Sequence, residues 1–169
     1  EQLIFTADKL VTKQDNLMTL LFSGGLIFDG NGNLLENHGV LVEDDRISKV
    51  APCGEFEGFN GELIDTTGGT LMPGLIDCHV HLVYCGEADP KSHLLNLNPG
   101  QIVMNAFENA QNTLNSGVTS IRDLGGRDFL EFAVRDACNL GRQLGPTIKA
   151  AGRMICMTGG HGNIFGRIA

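Results

Sequence analysis

At 169 residues with 42% hydrophobic side chains, the chain is long enough to bury one ordinary globular core. A formal net charge of -8, from 12 Lys and Arg against 20 Asp and Glu, argues against nucleic acid as a partner, because phosphate binding calls for clustered cations and none cluster here. No apolar run approaches the ~20 residues of a bilayer span, so no membrane partner is expected, and five cysteines without Cys-x-x-Cys spacing make no disulfide framework.

Residues 1–18 lack the basic start and long apolar centre of a secretory signal and read as an extension of unknown role. A soluble cytoplasmic protein is the expectation. Strand-like runs then occupy 20–22, 26–29, 39–43, 47–51 and 63–66, separated by Gly, Asn and Asp turns. Asp29-Gly30-Asn31-Gly32-Asn33 and Glu43-Asp44-Asp45-Arg46 have the composition of hairpin turns. These runs predict a small β domain over 19–70, with Phe56 and Phe59 in a loop packed on it.

The breaker Pro73-Gly74 leads into a short, buried strand predicted over 75–82. In a strand, side chains at i and i+2 share a face, so His79 and His81 can both reach one ion lying beyond the strand's carboxyl end. A bare His-x-His is a weak signal on its own, often only surface or core histidine. Asp77 shares that face, either accepting an N–H from a ligand histidine or bonding main chain. Cys78 is turned to the other face and reads as packing.

A loop over 83–98 leads to a helix with marked ends: Asn98 caps, Pro99 takes the first position, Gln101 completes a capping-box pair, and Gly117 follows the end. Its buried stripe is Ile102, Val103, Ala106, Phe107, Ala110 and Leu114. A second strand ends at Asp123, which either orients a ligand histidine or pairs with Arg122. A second helix is predicted over 129–140, capped by Asp128, with Leu130, Ala133, Val134 and Ala137 inward. A third strand follows over 147–152, and then a glycine-flanked His161 in a loop able to meet substrate. That loop lacks the lysine of a phosphate-binding loop, and no Gly-x-Ser-x-Gly elbow occurs.

The phrase Leu71-Met72-Pro73-Gly74-Leu75-Ile76-Asp77-Cys78-His79-Val80-His81-Leu82 resembles the entry into the first barrel strand of the amidohydrolase superfamily of metal-dependent hydrolases. The segments 117–126 and Thr158-Gly159-Gly160-His161-Gly162 resemble the second strand with its loop, and the loop after the third, in the branch of Xaa-Pro dipeptidase-like and imidazolonepropionase-like enzymes. The resemblance covers 19–169.

It implies an α/β fold: about three βα units of a TIM (β/α)8 barrel over 71–169, preceded by a small, incomplete β-sandwich. Since a complete barrel takes about 250 residues, the chain is expected to be the amino-terminal portion of a longer protein. The resemblance implies His79 and His81 as ligands of one or two divalent metal ions, zinc first among them. Beside those ligands, Asp77 and Asp123 stay candidates to stand behind the histidines, and His161 stays a candidate substrate contact, on the residue readings given above. The family's other ligands, a lysine, two histidines and a late aspartate, follow later strands. No catalytic residue is therefore assigned here, and the isolated chain is expected to be inactive.

The implied reaction is hydrolysis of a carbon–nitrogen bond, in an amide, peptide or cyclic amide, by metal-activated hydroxide. The substrate is a small molecule, a dipeptide being one candidate, and the full-length protein is expected to be a homo-oligomer. Two other readings remain: a superfamily member acting on a different ring or ester, and a non-catalytic metal-binding or interaction module with a partial barrel.

Overall fold

The structure, a computed structural model, describes residues 19–160 and Gly162. The expected extension over 1–18 lies outside the described residues. The chain divides between Pro73 and Gly74 into two compact units.

The first unit is all β. Strands β1 (Thr19–Ser23), β4 (His38–Glu43), β5 (Arg46–Pro52) and β6 (Glu62–Asp65) form one sheet in the order β5-β4-β1-β6. A smaller sheet runs β3-β2-β7, from β2 (Leu26–Phe28), β3 (Leu34–Leu35) and β7 (Thr70–Leu71). The buried apolar residues of this unit are Leu21, Val40 and Ala51 from the larger sheet and Ile27 from the smaller. The Asp29 turn is held by its own carboxylate, which accepts from the Asn31 and Asn33 amides and from Asn33 Nδ2.

The second unit holds a parallel sheet, β10-β9-β8, from β8 (Leu75–Val80), β9 (Val118–Asp123) and β10 (Thr147–Ala150). Parallel pairing needs a crossover between strands. Helices α2 (Pro99–Asn115) and α3 (Glu131–Asn139) provide the two crossovers. Ile121 and Ile148, paired across β9 and β10, pack with Leu82, Ala106, Ala110, Val134 and Cys138 as the core. A smaller cluster of Val83, Leu94 and Ile102 lies under the loop after β8.

Helix α2 starts where the sequence places it: Asn98 Oδ1 accepts from the Gln101 amide at 3.0 Å while Gln101 Oε1 accepts from the Asn98 amide at 3.0 Å. Helix α3 starts later than expected, at Glu131. Asp128 and Phe129 adopt left-handed φ of 57° and 59°, so Asp128 does not cap and instead pairs with Arg127. The inward face shifts accordingly to Glu131, Val134 and Cys138, and Ala133 is exposed. Asn139, from the end of α3, brackets Ile148, its Oδ1 accepting from the Ile148 amide and its Nδ2 donating to the carbonyl.

Two strand expectations also change. Strand β10 ends at Ala150, before left-handed Gly152. Strand β8 ends at Val80 and is exposed along most of its length, because it pairs only with β9 and its other edge is open among the described residues. Cys78 is exposed there too, and all five cysteines are free thiols. Among the described residues, no helix is long and apolar enough to cross a membrane.

Candidate metal site at the end of the first parallel strand

Strand β8 loses its regular register just where the histidines lie. Asp77 stands opposite Ile121 and Val80 opposite Asp123, so Cys78 and His79 together face Arg122. One extra residue of this kind re-aims the side chains around it. His81 follows immediately after the strand. Simple strand alternation therefore does not place the two rings, although they do come together: their centroids are 5.5 Å apart at an interplanar angle of 77°.

That separation fits a shared cation. Two imidazoles on a tetrahedral zinc, each bound at about 2.0–2.1 Å, have ring centres roughly 5 Å apart. The tautomer fits as well. His81 Nδ1 lies 2.7 Å from the main-chain carbonyl of Gly125. A carbonyl oxygen can only accept, so Nδ1 carries the hydrogen and the neutral ring keeps its lone pair on Nε2. Fixing one ring nitrogen this way is how proteins orient metal-binding histidines. Tyr84 packs edge-on against the His81 ring, centroids 5.5 Å apart, and burial pushes its phenol above the ordinary value.

The carbonyl of Gly125 is itself held from several directions. Asp123, fully buried, accepts from the Gly125 amide at 2.7 Å through one oxygen and from the Leu82 amide at 2.8 Å through the other. It thus ties the residue after His81 to the residue that holds His81, and both its oxygens face main chain while Arg122 is exposed. Gly125 has φ of +110°, and a Cβ there would lie 2.7 Å from the Gly152 carbonyl, so the close approach of these two loops requires glycine. The amide of Gly126 donates to that same carbonyl at 2.9 Å.

Asp77 takes the main-chain option: its Oδ1 accepts from the His79 amide at 2.9 Å. This bond shapes the chain entering the histidine pair. His161 lies outside the described residues.

Sequence reasoning missed two supports and one buried acid. Asn109 of α2 donates to the Leu82 and Tyr84 carbonyls at 2.8 and 2.7 Å. Arg127 donates to the Leu94 and Leu97 carbonyls, closing the carboxyl end of α1 (Pro90–Asn96), a helix inside the expected loop. Its signal was present: Asp89 precedes Pro90 and accepts from the Ser92 amide at 3.1 Å. Glu131, which lies three residues after Asp128 and reads in the sequence as its capping partner, is instead fully buried with both carboxylate oxygens unpartnered.

Comparison with known proteins gives a consistent set of relatives. The amidohydrolase family matches residues 70–161, more than half of the chain. The ochratoxinase of Aspergillus niger is 29% identical over 164 residues, covering 92% of this chain and 32% of its own length. Its crystal structure superposes with a TM-score of 0.73 at 27% identity, over 89% of this chain and 35% of that one. The imidazolonepropionase of Ectopseudomonas mendocina (strain ymp) is 48% identical over 63 residues, 36% of this chain and 16% of its own. A crystal structure of a Xaa-Pro dipeptidase with bound methionine in its active site has a TM-score of 0.71 at 28% identity, over 86% of this chain and 36% of that one. The chain spans about a third or less of the length of these relatives.

Proposed function

From the premise that this chain belongs to the amidohydrolase family, we propose that it supplies the opening strands and the first two metal ligands of a hydrolase acting on amide-type carbon–nitrogen bonds. The remaining strands of a (β/α)8 barrel complete the site in the whole protein. The observation that carries this reading is the paired arrangement of His79 and His81, with Nε2 of His81 left free by the Gly125 carbonyl. Zinc is the cation proposed, since imidazole with mixed nitrogen and oxygen ligands suits it.

When bound, the cation supplies Lewis-acid activation of water and of the substrate carbonyl. The chain's own residues perform the preparatory work. Gly125 holds the hydrogen of His81 on Nδ1, Asp123 clamps Gly125 against Leu82, and Asp77 fixes the main chain at His79. His161, which follows β10 in the sequence, is proposed as a substrate contact. A ligand set so positioned loses little freedom when the cation arrives.

The substrate class is a dipeptide or a related small amide or cyclic amide, in keeping with the activities named for the relatives. The test is a screen of Xaa-Pro and other dipeptides with the full-length protein, with and without chelator. Hydrolysis that chelator abolishes and zinc restores is the expected result. Hydrolysis by metal-free protein, unaffected by chelator, would overturn the reading.

A further inference from the structure

A second group of metal-type side chains lies after the histidine pair, in the loop and short helix leading to α2. Cys85 Sγ, Glu87 and His93 place one ligand atom each within 4.8 Å of the others. Nε2 of His93 is already 3.1 Å from Glu87 Oε1. The arrangement is built by local structure. Gly86, with φ of +78°, turns the chain so that the residues on either side of it face one point, and α1 carries His93 back toward them.

Nε2 of His93 and Oε2 of Glu87 are both shut off from solvent without a hydrogen-bond partner, the short contact between the two side chains being poorly aligned for one. Buried polar atoms left in this way are costly, so a cation that engages both removes a standing penalty. Asn109 Nδ2 approaches Cys85 Sγ at 3.8 Å, but burial, aided by the Glu87 carboxylate, outweighs that donor and pushes the thiol above its ordinary value, so a cation has to displace its proton.

We propose that Cys85, Glu87 and His93 form a second transition-metal site, separate from the histidine pair. The mixed sulfur, nitrogen and oxygen set selects zinc over magnesium or calcium, which want oxygen ligands alone. Tetrahedral zinc keeps its ligand atoms roughly 3.3–3.8 Å apart, a spacing this group reaches with small side-chain adjustments, and water takes the fourth position. Binding releases the Cys85 thiol proton to solvent. The site acts as a clamp, fastening the loop after β8 to α1 and so fixing the wall beside His81.

Cobalt(II) titration of the full chain, followed by thiolate-to-cobalt charge-transfer absorption, tests this. The band is expected in the parent protein and in both Cys78→Ser and His79→Asn/His81→Asn, and it is expected to vanish in Cys85→Ser. Glu87→Gln and His93→Gln keep every thiol, and each is expected to weaken cobalt binding about tenfold or more. Far-UV circular dichroism establishes that each variant is folded. No sulfur-to-cobalt band in the parent, a band surviving in Cys85→Ser, one lost in Cys78→Ser, or unchanged midpoints in both Glu87→Gln and His93→Gln would each overturn the proposal.

Discussion

The side chain of His81 donates from Nδ1 to the main-chain carbonyl of Gly125, 44 residues along the chain, at 2.7 Å. A main-chain acceptor cannot rotate away as a side chain can, so the tautomer of His81 depends on the backbone path of the loop after β9. The account of the site follows from what holds that path.

Gly125→Ala tests the path directly. The new methyl group meets the Gly152 carbonyl and the Arg153–Met154 backbone at a φ of +110°. A loss of about 1–3 kcal/mol in denaturant unfolding is expected, together with about 10–100-fold weaker zinc binding, read by calorimetry. Unchanged affinity in a folded variant would show that the Gly125 carbonyl does not govern His81.

Asp123→Asn alters the clamp without changing its size. The buried carboxylate accepts from two amides, and asparagine offers one oxygen and one NH2, which turns a donor toward a donor. The expected cost is about 2–4 kcal/mol, measured by chemical denaturation. Stability equal to the parent protein would contradict the clamp.

Glu131 contributes to the pH dependence of stability between about 4.5 and 7. Burial first, with the Asp123 carboxylate adding to it and Arg135 opposing, pushes its carboxyl up from 4.5 to about 7. The folded state thus holds a proton that the unfolded state has already released. Its contribution to stability is complete below about 4.5 and is lost as pH rises through about 7. Glu131→Gln is expected to flatten stability across that window and to raise it by about 1–3 kcal/mol above pH 7, read from unfolding midpoints at several pH values. A variant with the parent's pH slope would refute this.

The capping box of α2 is a check on local structure alone. Asn98→Ala removes the acceptor of the Gln101 amide and is expected to cost about 1 kcal/mol in thermal or chemical unfolding while leaving zinc affinity unchanged. A drop in zinc affinity would tie α2 to the site more closely than its contacts suggest.

What the sequence revealed was what neighbouring residues decide among themselves. The Asn98–Gln101 cap lies within one turn, and the strand, helix, strand order of the second unit follows from hydrophobic periodicity. The pair His79 and His81 was legible because two imidazoles two residues apart fall within reach of one ion. Their supports were not, since Gly125 and Asp123 reach His81 and Leu82 from 44 and 41 positions away. Asn109 bonds carbonyls, which any residue type could provide. The late start of α3 shows the same limit. Asp128 has the composition of a cap, but left-handed φ at Asp128 and Phe129 displaces it, and that carries Glu131 into the interior.

We propose that His79 and His81 share a cation, with His81 binding through Nε2. Nitrogen-15 spectra of the histidine-labelled chain, recorded through a zinc titration, test it most directly. Before zinc, His81 should carry its hydrogen on Nδ1, and on saturation Nε2 of His81 and one nitrogen of His79 should move together to metal-bound values. Rings of His79 and His81 that stay unperturbed at saturating zinc, or a His81 that binds through Nδ1, would contradict it.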